Sequence, residues 1–208
     1  MLAGGHGTRL RPLTFTGNKH MLPIANKPML FYGLEHLRDA GVTDIGVILG
    51  PVKEGVVQVL GDGSKLGVRI TYIDQPDPKG LAHAVMVAEG FLGDEPFIMY
   101  LGDNLLRQGA KPLLDLFERN ESDCVVGVAR VGDPSSYGVV VFKEDGSVSR
   151  LVEKPKEPVS NWALIGVYVF NNRVHDAVKR IRPSWRGELE ITDAIQTLLN
   201  DGARVDVQ

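Results

Sequence analysis

The stretch PFIMYLGDNLLRQGAKPLLDLFERNESDCVVGVARV (96–131) decides the predicted fold. It contains two short apolar runs, 96–103 and 123–131, of the kind that forms strands. Between them KPLLDLFERN (111–120) has the apolar spacing of a helix. Such alternation predicts an α/β fold with a mainly parallel sheet covered by helices on both faces. The pattern continues outward, with strands predicted at 44–50 and 68–73 and helices at 28–41, 80–92, 174–181 and 191–199.

The segment 137–170 departs from this alternation. YGVVVFKEDGSVSRLVEKP predicts two strands joined through Asp145-Gly146, a strong β-hairpin signal, and NWALIGVYVF predicts a further strand. We expect this β-rich insertion to lie over the ends of the main sheet. No linker marks a second domain, so residues 1–208 are predicted to form a single domain.

Composition excludes several classes of protein. The 208 residues are 43% hydrophobic and 24% charged, which is ordinary for a globular chain. A net charge of −3 gives no electrostatic case for binding nucleic acid or membranes. No apolar run approaches the roughly 18 residues of a membrane span, and no signal peptide is apparent, so a cytoplasmic location is expected. The single cysteine, Cys124, lies in an apolar run and is predicted to be a buried thiol.

The opening LAGGHGTRLRPLT (2–14) predicts an anion site. A glycine-rich turn can offer backbone N–H groups to phosphate oxygens without interference from Cβ atoms. The turn is not a Walker A loop, because Thr8-Arg9 follow the last glycine where a Lys-Ser/Thr pair is required. Leu10 stands where a dinucleotide fingerprint needs glycine. Arg9 and Lys19 add positive charge around the turn, whereas Arg11 is interpreted as a surface residue.

Eight motifs follow in order: LAGGHGTRLRPLT, NKHMLPIANKPM, QPDPKGLAHA, YLGDN, YGVVVF, VEKPKEP, GVYVF and RGELEITD. In this order and spacing the chain resembles the sugar-nucleotide pyrophosphorylases, and among them the glucose-1-phosphate thymidylyltransferases. The resemblance implies a Rossmann-like three-layer αβα nucleotidyltransferase fold with a mainly parallel mixed sheet and a β-rich sugar-binding insertion. It also implies dTTP and glucose-1-phosphate as substrates, dTDP-glucose and pyrophosphate as products, Mg²⁺ as cofactor, and a homo-oligomer.

Two alternatives to this activity stay open. The same fold could use UTP or another sugar-1-phosphate. A catalytically weak fragment that only binds sugar nucleotides would carry the same motifs.

The implied reaction needs cations rather than a general base. A phosphate monoester, with its second pKa near 6, is already largely ionised at neutral pH, so the obstacle is repulsion between two anions. The resemblance assigns Arg9 and Lys19 to the triphosphate and Lys154 to the sugar phosphate. Asp103, directly after an apolar strand, is expected at the ligand edge of the sheet, where a carboxylate suits Mg²⁺. The alternative for Asp103 is a turn or helix cap.

The remaining binding residues also come from the resemblance. The amide of Gln75 can donate to and accept from thymine or uracil, but it does not read the methyl group that distinguishes them. Gly80 would let the backbone approach the base, and Glu153 would accept from sugar hydroxyls. Tyr168 is equally compatible with a place on the strand surface or in the core. The predicted nucleotide residues are Leu2, Gly4, Gly5, Gly7, Thr8, Gln75, Pro78, Gly80 and Gly102; the predicted sugar-phosphate residues are Tyr137, Gly138, Glu153, Lys154, Tyr168 and Arg186.

Some residues are given no functional role. The five histidines lack the spacing of metal ligands, and Trp162 and Trp185 are interpreted as packing residues.

The sequence departs from the family pattern at two places, and both departures affect the expected activity. Only Met1-Leu2-Ala3 precede the glycine turn, where the family has a full strand. Asp206 comes too early in the closing strand to be the family's second metal aspartate. The chain is therefore interpreted as trimmed at both ends, with weak Mg²⁺ binding and slower turnover than a version extended through that aspartate.

Overall fold

The structure is a computed structural model that describes residues 1–5, 7, 10–13 and 17–208. The chain divides into two compact units. Unit 1 comprises Met1–Pro78 and Tyr100–Lys111, and unit 2 comprises Lys79–Met99 and Pro112–Gln208. Within the described part of the chain, none of the helices has the length and apolar character needed to cross a membrane.

Unit 1 is built around parallel strands. Strands β3 and β4 pair in parallel from Asp44↔Arg69 to Leu49↔Asp74. Leu2 forms parallel bridges with both Ile48 and Leu101, so the opening residues act as a short central strand. The elements of unit 1 are β1 (Pro23–Ile24), β2 (Lys27–Pro28), α1 (Met29–Asp39), β3 (Asp44–Leu49), α2 (Glu54–Leu60) and β4 (Arg69–Asp74).

The hairpin β1–β2 and helix α2 were not predicted from the sequence. In the hairpin, Ala25 and Asn26 adopt left-handed φ angles of 48° and 65°. Two such residues in a row are typical of a type I′ turn, in which glycine or asparagine is usual and alanine is rare. Because alanine is disfavoured in such a turn, residue preferences did not predict one at Ala25-Asn26.

Unit 2 contains a mixed sheet. Its strand order is β10-β6-β9-β7-β8, and β5 also pairs with β9. The β10–β6 pair is parallel, whereas β6–β9, β7–β9 and β7–β8 are antiparallel. The elements that complete the chain are α3 (Leu81–Leu92), β5 (Phe97–Tyr100), α4 (Lys111–Asn120), β6 (Cys124–Arg130), β7 (Gly138–Phe142), β8 (Val148–Glu153), β9 (Trp162–Phe170), α5 (Arg173–Arg180), α6 (Ile191–Asn200) and β10 (Val205–Val207).

The predicted α/β class with a mixed sheet is confirmed, and every predicted helix and strand is present. The hairpin through Asp145-Gly146 is also confirmed, with Gly146 at φ 83°. The expected position of segment 137–170 over the sheet ends is wrong, because β7, β8 and β9 are members of the sheet itself. The connections between these strands are short, and short connections allow antiparallel neighbours but not parallel crossovers.

Burial and packing bear on three residues singled out in the sequence, Cys124, Trp162 and Trp185. Cys124 is fully buried, and burial followed by the nearby Asp123 and Asp206 raises the pKa of its thiol well above the usual value. Trp162 packs edge-on against Phe142 with ring centres 6.0 Å apart. The packing role predicted for Trp185 is wrong, since that residue is 83% exposed. It lies on an exposed turn between α5 and α6.

Candidate active site

Gly102 brings the end of β5 against the opening residues of the chain. Its N–H donates to the carbonyl oxygen of Leu2 at 2.9 Å. A Cβ atom at position 102 would lie only 2.6 Å from Leu30 Cδ1 and 2.9 Å from the Leu2 oxygen. Glycine is therefore needed for this close approach. Asp103 consequently leaves the strand directly beside the glycine-rich opening.

Lys19 and Asp103 form an ion pair in unit 1. Their side chains are 21% and 34% exposed, so the pair is partly shielded from solvent. Gly5 lies next to it, because a Cβ atom at that position would be 3.1 Å from Lys19 Cε. Leu2, Gly5, Lys19, Gly102 and Asp103, all predicted as site residues, are thus brought together.

The Asp103 carboxylate is stabilised in its ionised form. Burial alone would raise its pKa, but the hydrogen bond and charge of Lys19, with a further contribution from His20, lower the pKa below the ordinary value. An ionised carboxylate at a strand end is the kind of ligand that Mg²⁺ accepts. Among the described residues there is no group of three or more His, Cys, Asp or Glu side chains that could hold a metal by themselves.

Asn18 was missed by sequence reasoning, although it organises this region. Its Nδ2 donates to the carbonyl oxygens of Ala3 at 2.8 Å and Val52 at 3.2 Å. Its Oδ1 accepts from the backbone N–H of His20 at 3.0 Å and lies 2.7 Å from His20 Nδ1. Asn18 therefore ties the opening segment, the turn that carries Lys19 and the loop after β3 to one another. The asparagine that caps this turn was the available signal in NKHM.

His20 is the second residue that the sequence did not reveal. It is 2% exposed. Burial, followed by the charge of Lys19, lowers its pKa to about 4, while Asp103 acts in the opposite direction. The ring is therefore neutral at pH 7. Because the amide oxygen of Asn18 can only accept, Nδ1 of His20 carries the proton.

Other predicted nucleotide residues have clear structural environments. A Cβ atom on Gly4 would lie 2.9 Å from the backbone N of Gly50, so two chain segments meet here without side chains. Gln75 follows β4, is 7% exposed, and donates its backbone N–H to Leu49 O at 2.8 Å. Gly7 has a left-handed φ of 60°. Pro78 is exposed. Thr8 and Arg9 lie outside the described residues.

In unit 2, Glu153 is the centre of a second group of predicted residues. It ends β8, and its Oε1 lies 3.3 Å from Lys154 Nζ and 3.4 Å from Arg186 Nη1. Its Oε2 accepts from Thr192 Oγ1 at 2.6 Å. Gly138 is its partner across the β7–β8 hairpin. Four of the predicted sugar-phosphate residues, Gly138, Glu153, Lys154 and Arg186, therefore lie together.

Arg186 is shared among several carboxylates. Besides Glu153, its guanidinium lies 2.7 Å from Glu188 Oε1 and 3.6 Å from Glu190 Oε1. Ser184 Oγ donates to Glu190 at 2.8 Å. Burial, with a smaller contribution from Glu153, raises the pKa of Glu190. The positive charge of Arg186 is thus compensated locally.

Lys154 has an unusual backbone conformation. Its φ of 39° is left-handed, and its N–H donates to the carbonyl oxygen of Tyr137 at 3.0 Å. For a residue with a Cβ atom this conformation costs roughly 1–2 kcal/mol. Strain of this kind persists where the surrounding structure holds a side chain in one direction.

Comparison with known proteins identifies the family. The sequence pattern of the family described as nucleotidyl transferase matches residues 1–207. The chain belongs to this family.

Three known proteins are similar to this chain in sequence or in structure. The chain is 51% identical over 207 residues to the low-salt glycan biosynthesis nucleotidyltransferase Agl11 of Haloferax volcanii, covering 99% of this chain and 58% of the relative. It is 50% identical over 206 residues to a glucose-1-phosphate thymidylyltransferase of Streptomyces antibioticus, with the same coverage. A Bacillus anthracis protein assigned as a glucose-1-phosphate thymidylyltransferase, crystallised with sucrose, superposes with a TM-score of 0.91 at 36% identity, covering 100% of this chain and 84% of that one. The chain thus spans 58% of the length of the first two relatives.

Three further predicted binding residues of this nucleotidyl transferase, Gly80, Tyr168 and Tyr137, have different surroundings. Gly80 has φ 105°, and a Cβ atom there would lie 2.4 Å from Leu189 O. The backbone of Leu189 pairs with both Lys79 and Ala82, so glycine is required by packing, and its role toward the base stays a prediction. Tyr168 is 3% exposed and stacks on Phe170 with ring centres 5.8 Å apart, which favours the core alternative. Tyr137 is 46% exposed.

Proposed function

We propose that this nucleotidyl transferase joins dTTP and glucose-1-phosphate to give dTDP-glucose and pyrophosphate. The observation that carries the proposal is the Lys19–Asp103 pair beside Gly5. A cation, an ionised carboxylate and a glycine-rich backbone in one place suit a triphosphate and its divalent ion. The similarity to a thymidylyltransferase of Streptomyces antibioticus supports the choice of substrates.

The proposed reaction balances without a general base. An oxygen of the sugar phosphate forms a bond to the α-phosphorus of the triphosphate, the bond from that phosphorus to the bridging oxygen breaks, and pyrophosphate leaves with the electron pair. The attacking phosphate is largely ionised at neutral pH, so no proton has to be removed. The protein's task is to align the two anions and to offset their charge.

The described residues of unit 1 are proposed to bind the triphosphate. Backbone N–H groups of the glycine-rich opening and the ammonium of Lys19 would hold its phosphate oxygens. Asp103 fits a Mg²⁺ site, because one carboxylate with phosphate oxygens and water is a usual ligand set for that ion. When bound, Mg²⁺ supplies positive charge that offsets the charge on the phosphate oxygens. Gln75 would hydrogen-bond the edge of the base.

The described residues of unit 2 are proposed to bind the sugar phosphate. The ammonium of Lys154 would hold the phosphate, and the carboxylate of Glu153 would accept from sugar hydroxyls. Arg186 supports both residues through Glu153, to which it is bound at 3.4 Å. Arg9 is proposed as a clamp for the leaving pyrophosphate from the family pattern alone.

A substrate panel tests this proposal. Pyrophosphate release would be measured with dTTP, UTP and other triphosphates, each against several sugar-1-phosphates, in the presence of Mg²⁺. Turnover is expected to be fastest with dTTP and glucose-1-phosphate. Faster turnover with another pair would replace these substrates. Binding of dTDP-glucose without turnover of any pair would favour a protein that only binds sugar nucleotides.

A further inference from the structure

Thr192 makes a short contact with Glu153 that sequence reasoning did not foresee. It lies in the first turn of α6 and is 1% exposed. Its Oγ1 donates to Glu153 Oε2 at 2.6 Å. The contacts of the same carboxylate with Lys154 and Arg186 are longer, at 3.3 and 3.4 Å. The threonine hydroxyl is therefore the contact that sets the orientation of the carboxylate.

Gly138 makes the space in which this contact forms. It is paired with Glu153 across the β7–β8 hairpin. A Cβ atom at position 138 would lie 2.7 Å from Thr192 Oγ1 and 2.9 Å from Glu153 Oε2. Two different parts of unit 2, the hairpin and helix α6, thus converge on one carboxylate oxygen.

The contact with Thr192 also bears on how closely Glu153 approaches the two cations with which it forms ion pairs. Charge-assisted hydrogen bonds are typically about 2.7–2.9 Å long, which is shorter than the distances from Glu153 to Lys154 and Arg186. A carboxylate released from Thr192 could turn and close both distances. That movement would remove an acceptor from the sugar side and neutralise the Lys154 ammonium more fully.

We propose that Thr192 is a positioning residue for recognition of the sugar phosphate. It holds the Glu153 carboxylate in the orientation that accepts sugar hydroxyls, and it leaves Lys154 available to the phosphate. The inference rests on the proposed function and deepens it.

The test compares threonine variants in the full chain. Thr192→Val keeps the shape of the side chain and removes the hydroxyl, whereas Thr192→Ser keeps the hydroxyl. The KM for glucose-1-phosphate is expected to rise roughly tenfold in Thr192→Val, as for loss of one hydrogen bond to a charged group, with the KM for dTTP unchanged. Thr192→Ser is expected to stay within about twofold of the wild type.

Thr197→Val is the matched control. Thr197 lies on the same helix, and its hydroxyl donates to the carbonyl oxygen of Asp193 at 2.9 Å rather than to Glu153. Its loss should leave both KM values unchanged. If Thr192→Val does not fold, as judged by circular dichroism, Thr192→Ala is measured in its place with the same expectation.

Three outcomes would contradict the inference. An unchanged KM for glucose-1-phosphate in Thr192→Val would overturn it while leaving the proposed function in place. Equal increases in both KM values, or no rescue by serine, would show a purely structural role and also overturn it. A wild-type chain without turnover on any substrate pair would contradict the proposed function itself, and the inference with it.

Discussion

Among the described residues of unit 1, the charged candidates are one ammonium and one carboxylate, Lys19 and Asp103. In unit 2 two cations, Lys154 and Arg186, lie among the carboxylates of Glu153, Glu188 and Glu190. The charges of Lys19 and Asp103 offset each other, so under the proposed function a triphosphate would be bound together with its divalent ion. In the second group the acidic residues already offset Arg186, so an incoming phosphate would have to compete for it. The comparison therefore favours Lys154 over Arg186 as the cation proposed to bind phosphate in unit 2.

Removing the carboxylate of unit 1 should have the largest effect. Asp103→Asn keeps the size of the side chain but removes the negative charge of the proposed Mg²⁺ ligand. We expect turnover to fall by roughly three orders of magnitude and its dependence on Mg²⁺ to disappear. Pyrophosphate release would be measured over a Mg²⁺ titration. Asp94→Asn, at an exposed site, is the control. A variant that still responds to Mg²⁺ would show that Asp103 only forms a turn.

Removing Lys154, the favoured cation of unit 2, should have the second-largest effect on activity. Lys154→Ala is expected to cost on the order of 2–4 kcal/mol in transition-state stabilisation, measured as the loss in kcat/KM for glucose-1-phosphate. Lys156→Ala, which changes an exposed lysine two positions away, should have little effect. A larger loss in Arg186→Ala than in Lys154→Ala would reverse the comparison between the two cations.

The buried histidine of unit 1 predicts a pH dependence of stability. The pKa of His20 is lowered to about 4 in the folded protein, below its ordinary value of 6.5, so the unfolded chain binds more protons between these values. The free energy of unfolding should therefore fall as the pH drops from 6.5 to 4, by up to about 3 kcal/mol from this residue. His20→Gln should flatten that part of the profile in denaturant titrations. An equally steep profile in the variant would mean that other groups cause the pH dependence.

A comparison of the two hairpins predicts the smallest effect, a change in stability. The β7–β8 turn has glycine at its left-handed position 146, whereas the β1–β2 turn has Ala25 at φ 48°. Ala25→Gly should stabilise the chain by about 0.5 kcal/mol, because it removes the strain of a Cβ atom in this conformation. Ala40→Gly, at φ −85°, should instead destabilise the protein. Thermal unfolding of both variants would decide, and a lower Tm for Ala25→Gly would contradict the explanation of the turn.

Much of the fold was predictable because it follows from local patterns. The alternation of apolar runs and helical spacing predicted β3, β4, β5 and β6 together with the helices α1, α3 and α4. Asp145-Gly146 predicted a hairpin, since that dipeptide accepts the required backbone angles. Helix α2 and the hairpin β1–β2 were not predicted. The first is short, and the second depends on a left-handed alanine that residue preferences disfavour.

The sequence by itself determined most of the elements and indicated the charged candidates Lys19, Asp103, Glu153 and Lys154, because periodicity, turn chemistry and motif order are local properties. Only the tertiary structure decided which side chains meet. Asn18, His20 and Thr192 acquire their roles from hydrogen bonds to residues that folding brings beside them, such as the bond from Thr192 to Glu153 across 39 positions. The same holds for Arg186, whose charge is shared among carboxylates from β8 and from the segment before α6. Such contacts depend on the geometry of packing, which cannot be inferred from the residue types alone.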